Sequence, residues 1–99
     1  MLFAVSYKTR GTLTEDTAGR SLKLFANWAP PAGYVFKAHY TNADGNGGLA
    51  LVEIDSAAAA LEVHSAWTPF FEFTTVPILE IEQAMQIHAK TSSWRASVK

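Results

Sequence analysis

Residues 34–54 have the sequence YVFKAHYTNADGNGGLALVEI, and this stretch decides the fold. Residues 34–41 alternate in the manner of a β-strand. The two predicted faces are Tyr34, Phe36, Ala38 and Tyr40 on one side, and Val35, Lys37, His39 and Thr41 on the other. Residues 42–48 are rich in Asn and Gly, which accept the positive φ angles of hairpin turns. The stretch therefore predicts a β-hairpin whose second strand covers residues 49–55.

The residues before the hairpin predict a strand followed by a helix. Residues 2–8 alternate as a strand with few polar side chains. Acidic residues follow Thr14, and apolar residues then recur at helical spacing, which predicts a helix over about residues 15–28. Pro30 and Pro31 end that helix.

The residues after the hairpin predict a second helix and a fourth strand. Asp55 and Ser56 are suited to cap an alanine-rich helix over residues 57–67. Residues 70–81 are predicted as a strand, and Pro77 within them suits an edge strand, a bulge or a bend. The order βαββαβ is that of the α+β, ferredoxin-like fold, in which a four-stranded antiparallel sheet carries both helices on one face.

Length and composition limit the domain organisation and exclude several classes of protein. The 99 residues indicate one domain, predicted over residues 1–87, with residues 88–99 as a tail that is partly disordered or loosely docked. The net charge is −1 and Lys and Arg form no cluster, so no nucleic-acid partner is expected.

The lack of a membrane-length apolar run and the lack of Cys both bear on the predicted cellular location of the protein. No apolar run approaches the roughly 20 residues of a membrane helix, so no membrane partner is expected. The chain contains no Cys, which excludes disulfides and thiolate chemistry. These features predict a soluble, cytoplasmic protein.

The sheet face that the two helices leave free has a mixed character. Its predicted side chains combine apolar and polar residues, namely Leu2, Val35, Leu49 and Leu51 with Lys37, His39 and Glu53. Such a face is typical of a sheet that packs on a second sheet around a part-polar cavity. The sequence therefore predicts pairing with a second copy of the chain, with any function on or beside the shared face.

Four segments carry a resemblance to a known family. They are residues 24–33 (LFANWAPPAG), His39-Tyr40 with residues 43–48 (ADGNGG), Val52-Glu53, and residues 67–73 (WTPFFEF) leading to Pro77. Over about residues 1–85, the chain resembles a family of small, uncharacterised bacterial domains in the dimeric α+β barrel superfamily.

The resemblance implies a homodimer whose two four-stranded sheets form one barrel. It also implies a ligand pocket, either between sheet and helices or inside the barrel. The superfamily includes cofactor-independent monooxygenases, polyketide cyclases, muconolactone isomerases, haem-degrading enzymes and stress-responsive binding proteins. The chain carries the clear signature of none of these branches, so no catalytic residue is carried over from them.

His39 and Glu53 are the candidate catalytic residues. Imidazole titrates near neutral pH, which suits proton transfer, and a carboxylate on the neighbouring strand can orient it or act as the base. In their ordinary structural roles, His39 would be satisfied by a neighbouring group and Glu53 would pair with Lys37 or Lys8.

Aromatic side chains and one cation are the candidate substrate-binding residues. They are Trp28, Lys37, Tyr40, Trp67, Phe70 and Phe71. Aromatic side chains can line an apolar pocket for a flat ligand, although burial in the core or an interface explains them equally simply. Because neighbouring strand residues point to opposite faces, at most one of Phe70 and Phe71 is expected in a given pocket.

These observations predict a homodimer that binds a small apolar or aromatic organic molecule. If the protein is an enzyme, the predicted reaction is an isomerisation, cyclisation or oxygenation begun by proton abstraction, with no cofactor. His39, His64 and His88 lack the spacing of a metal site. The alternative is a non-catalytic protein, either a stress-related binding module or an assembly subunit. An enzyme is expected to hold His39 in a concave pocket that solvent reaches.

Overall fold

The computed structural model describes all of residues 1–99 and has the predicted element order, followed by a third helix. The elements are β1 (Leu2–Thr9), α1 (Glu15–Ala26), β2 (Tyr34–Thr41), β3 (Gly48–Ile54), α2 (Ala57–Trp67), β4 (Phe71–Pro77) and α3 (Ile81–Ser97). The βαββαβ prediction is therefore confirmed, and the fold is α+β and ferredoxin-like.

The four strands form one antiparallel sheet in the order β2-β3-β1-β4. The hairpin strands β2 and β3 are neighbours, and β1 lies between β3 and β4. Strand β4 is an edge strand that ends at Pro77, whose pairing with Phe3 is the last of that ladder. An edge position suits proline because its missing N–H costs no ladder hydrogen bond there.

The two hairpin strands do not pair in simple alternation. Phe36 lies opposite Val52, but the next pair along the ladder joins Ala38 to Leu51. Lys37 is therefore the extra residue of a β-bulge, which two-for-one pairing defines.

The bulge reverses the predicted faces of the second half of β2. His39 lies opposite Ala50 and Thr41 lies opposite Gly48, so both share the helix-covered face of the sheet with Phe36. Ala38 and Tyr40 take the other face. The prediction that placed His39 on the free face of the sheet is wrong, because strict alternation does not hold through a bulge.

The hydrophobic core lies between the sheet and α2. Ser56 caps this helix by accepting a hydrogen bond from the Ala59 backbone N–H, as its sequence position predicts. Ala59, Val63 and Trp67 recur at one-turn spacing and are buried against the sheet. The core residues are Val5, Tyr34, Ala50, Val52, Ile54, Ala59, Val63 and Trp67.

Helix α1 covers the same face of the sheet without packing tightly on it. Its apolar residues follow helical spacing, yet none of its side chains is buried. Leu22 remains 71% exposed and Phe25 remains 48% exposed. The space between α1 and the sheet is therefore not filled by the chain itself.

Helix α3 replaces the loose tail that the sequence predicted from residue 88. It is continuous over 17 residues, because residues 82–90 are mostly good helix formers and no Pro or Gly interrupts the segment. None of its side chains is buried. The radius of gyration is 17.7 Å, well above the ~13 Å of a compact domain of this size, since α3 extends away from the sheet. No helix of the chain is both long and apolar enough to cross a membrane.

The sheet face away from α1 and α2 is here called the open face. It is formed by Leu2, Ala4, Ser6, Val35, Ala38, Tyr40, Leu49, Leu51, Glu53, Thr74 and Val76. Val35 is 51% exposed and Val76 is 48% exposed. The predicted mixed character of this face is confirmed for Leu2, Val35, Leu49, Leu51 and Glu53, whereas His39 lies on the helix-covered face.

Candidate functional site

A cleft of about 440 Å³ lies between α1, α2 and the helix-covered face of the sheet. Its volume falls in the range of small-molecule sites, which are roughly 300–1,000 Å³. Its wall is rich in aromatic side chains, namely Tyr7, Phe25, Trp28, Tyr34, Phe36, Trp67, Phe71 and Phe73. This is the space that α1 leaves unfilled.

One stripe of α1 forms the roof of the cleft. Ala18, Ser21, Leu22 and Phe25 line it, and these residues occur at positions i, i+3, i+4 and i+7. In a tightly packed domain such a stripe meets the sheet directly. Here it faces a cavity, so the apolar side chains remain accessible to a ligand.

Tyr7 and His39 form a hydrogen-bonded pair on the floor of the cleft, with 2.7 Å between Tyr7 Oη and His39 Nε2. The two residues lie on β1 and β2, so their side chains meet across the intervening strand β3. That strand has small residues there, since Gly48 lies opposite Tyr7 and Ala50 lies opposite His39. A Cβ at Gly48 would lie 2.6 Å from the Tyr7 hydroxyl. The pair therefore depends on a glycine in the middle strand.

Aromatic rings contact the His39 imidazole, which remains partly exposed. It stacks on Phe36, with ring centroids 5.0 Å apart and an interplanar angle of 16°, and its edge meets Phe25 at 6.2 Å. This burial lowers the pKa of His39 below its usual 6.5, because an apolar environment disfavours the charged imidazolium. Burial raises the pKa of the Tyr7 phenol above its usual 10.0 for the same reason. Both groups are neutral at pH 7.

Two of the four other hydroxyl groups of the cleft wall bond to the backbone. Ser21 Oγ donates to the Ala18 carbonyl, and Thr41 Oγ1 donates to the Gly47 carbonyl. The Tyr7–His39 pair has no such backbone partner. The pair is therefore a polar feature of the cleft that can meet a ligand through both of its residues.

Four of the residues predicted from the sequence line this cleft. They are His39, Trp28, Trp67 and Phe71. The rings of Trp28 and Trp67 are perpendicular, with centroids 5.5 Å apart. Phe71 lines the cleft and Phe70 does not. Phe70 precedes β4, so the predicted alternation of strand faces does not explain this difference.

The other four predicted residues lie outside the cleft. Phe70 packs beside the core, Lys37 forms the bulge, and Tyr40 is exposed on the open face. Glu53 also lies on the open face, where its carboxylate is 3.1 Å from the α-amino group of Met1. The predicted pairing of His39 with Glu53 is therefore wrong in its geometry, because the bulge at Lys37 puts the two side chains on opposite faces of the sheet.

Sequence reasoning missed Tyr7 as the partner of His39. The signal that was available is its alternation with Phe3 and Val5, which puts Tyr7 on the helix-covered face. The pairing itself needed the sheet order and the bulge, and neither can be deduced from local periodicity. No group of three or more His, Cys, Asp or Glu side chains in the structure could hold a metal ion.

The fold and the cleft together define a ferredoxin-like α+β domain with a ligand-sized apolar cavity under its first helix. A family model described as "Domain of unknown function (DUF3303)" matches residues 1–92, and the chain belongs to this family. No curated protein and no solved structure matches the chain significantly. The match to this family model confirms the predicted resemblance to an uncharacterised family of small domains.

Proposed function

We propose that this protein binds a small, largely apolar organic molecule in the cleft and transfers a proton to or from it through His39. The observation that carries the proposal is the Tyr7–His39 hydrogen bond on the floor of a cavity of about 440 Å³ with an aromatic wall. His39 lies in a concave pocket and keeps an exposed edge, which is the arrangement expected of an enzyme rather than of a purely structural histidine.

The chemistry of the pair suits general acid–base catalysis. Because burial lowers its pKa, His39 is a neutral base at pH 7 and can accept a proton. Tyr7 takes the orienting role expected of Glu53, since its hydroxyl holds Nε2 and leaves Nδ1 for a ligand. Proton abstraction by this pair could begin an isomerisation, a cyclisation or an oxygenation.

The open face supports a second part of the proposal, which is that two copies of the chain pair sheet to sheet. Val35, Leu49 and Val76 are apolar residues that remain exposed on that face. Burying a side chain of this size fully is worth about 1.5–3 kcal/mol. A non-catalytic assembly protein would need this face and would not need the cleft.

Binding in the cleft can be tested with Nile red, an uncharged dye whose fluorescence rises in apolar surroundings. Leu22 and Leu61 form a matched pair, because both are exposed helix leucines, at 71% and 68%, and only Leu22 lines the cleft. We expect Leu22→Glu to abolish dye binding, since it puts a charge in the roof, while Leu61→Glu leaves binding unchanged. Equal loss or equal retention in the two variants would show that the dye binds elsewhere.

Proton transfer can be tested with 5-nitrobenzisoxazole, a flat, uncharged probe. A base removes its ring C–H proton, the N–O bond breaks as a nitrile forms, and a coloured phenolate is released. We expect turnover to fall about 10²-fold or more in His39→Gln, as for the loss of a positioned base. His64→Gln is the control, because His64 also has a pKa lowered by burial but does not line the cleft. A rate that is unchanged in His39→Gln would contradict the proposed role.

A further inference from the structure

The residues that line the cleft carry no formal charge at neutral pH. None of them is Asp, Glu, Lys or Arg, although these types make up 17% of the chain. His39 is the one lining residue that could become cationic near neutral pH, and its partial burial in the cleft opposes that charge. A charged ligand would therefore lose its hydration in the cleft without gaining an opposite charge.

The Tyr7–His39 pair presents one hydrogen-bond donor and one acceptor, whichever group donates within the pair. If Tyr7 donates to Nε2, then Nδ1–H is a free donor and the phenol oxygen can still accept. If Nε2–H donates instead, the phenol O–H is the free donor and Nδ1 is the acceptor. A ligand hydroxyl, which both donates and accepts, complements the pair in either state.

The aromatic walls set the shape of the ligand. Trp28 meets Trp67 at 90° and Phe36 at 82°, so faces and edges of several rings border the cavity. Flat rings gain from both kinds of contact, because aromatic pairs favour edge-to-face and offset-stacked geometries.

We infer that the ligand of this cleft is an uncharged, flat molecule bearing a hydroxyl group, which hydrogen-bonds to the Tyr7–His39 pair, and that carboxylates of the same shape are excluded. The inference rests on the proposed binding function and names the class of molecule that the site selects.

The experiment compares naphthalene, 1-naphthol and 1-naphthoate by calorimetry at pH 7.5. We expect 1-naphthol to bind about tenfold more tightly than naphthalene, the usual worth of one or two net hydrogen bonds. We expect 1-naphthoate to bind at least about a hundredfold more weakly than 1-naphthol, because its carboxylate meets no cation.

Two tyrosine variants assign the preference to the pair. Tyr7→Phe removes the hydroxyl that meets His39, so the advantage of 1-naphthol over naphthalene should fall from about tenfold to about threefold, because the His39 ring can still form a hydrogen bond. Tyr40→Phe is the control, because Tyr40 is exposed on the open face outside the cleft, and it should retain the advantage.

The outcomes separate this inference from the proposed function. Equal binding of naphthalene and 1-naphthol, or tight binding of 1-naphthoate, would overturn the inference and leave a binding cleft in place. Binding of none of the three compounds would overturn both.

Discussion

Lys37 is the residue of β2 that has no partner on β3, and its bulged position explains why His39 lies in the cleft. As the extra residue of the bulge, it lets Phe36 and His39 share a face although three positions separate them in the chain. Without it, residues 36, 38 and 39 would still alternate regularly, and His39 would keep the face on which it meets Tyr7.

Deletion of Lys37 is therefore expected to be tolerated. The deletion gives a regular strand with the same residues on each face, so the free energy of unfolding should change by less than about 1 kcal/mol. Deletion of Leu51 is the contrasting variant, because β3 lies between two strands and pairs regularly with β1. The deletion would exchange the two faces of the strand on one side of the deleted residue, so the protein should not fold. Urea unfolding measures both, and equal damage from the two deletions would contradict the assigned bulge.

The histidines predict how stability depends on pH. Burial lowers the folded-state pKa of both His39 and His64. At pH values between each folded-state pKa and the unfolded-state pKa of about 6.5, the unfolded chain therefore binds more protons than the native protein. Stability should therefore be constant above this window and fall as the pH drops through it. His39→Gln and His64→Gln should each flatten the fall in urea-unfolding free energy, and side-chain NMR titration should find both imidazole pKa values below 6.5.

At the scale of elements, the tight hairpin turn brings β3 against β1 and β2. Gly47 has φ +91°, and a Cβ there would lie 1.8 Å from the Tyr7 carbonyl oxygen. Gly45 lies in the same turn with φ +77° and has nothing within 4 Å of a Cβ. Both glycines therefore have a positive φ, but only at Gly47 would a Cβ collide with neighbouring backbone atoms.

Substitution of these glycines by alanine should separate the two effects. Gly45→Ala should cost about 1 kcal/mol from the positive φ alone. Gly47→Ala should cost about 2 kcal/mol or more, because the β1 backbone beside Tyr7 must move as well. Thermal or urea unfolding of the two variants gives the comparison, and similar losses would show that the close approach is relieved without cost.

The elements divide into those that periodicity predicts and those that it does not. The hairpin, α2 and the strand order along the chain follow from alternation, turn residues and the Ser56 cap, because these signals are local. The bulge escaped prediction because Lys37 continues the alternating pattern in the sequence. Only four of the eight candidate site residues line the cleft. Local periodicity could not predict which residues of β2 turn inward, or that Tyr7 meets His39, because both depend on strand pairing in three dimensions.

At the scale of the whole molecule, the open face and the roof of the cleft are both apolar surfaces that the chain leaves uncovered. The proposed function assigns the first to a second copy of the chain and the second to a small ligand. The two assignments are independent, because the surfaces lie on opposite sides of the sheet.

Pairing through the open face predicts a dimer that a single charge disrupts. Val35→Asp puts a carboxylate beside Glu53 on that face, so the protein should become monomeric in sedimentation velocity. Leu61→Asp, on an exposed position of α2, should remain dimeric like the unmodified protein. A monomeric unmodified protein at micromolar concentration would contradict the pairing.

The most direct test of the central claim is a map of amide chemical shifts on titration with 1-naphthol. If the cleft is the binding site and the Tyr7–His39 pair forms its floor, the largest shifts should occur at Tyr7, His39, Ser21 and Phe71, which all line it. Val35 and Val76 on the open face should stay unchanged. Shifts concentrated on the open face, with none around Tyr7 and His39, would contradict the account.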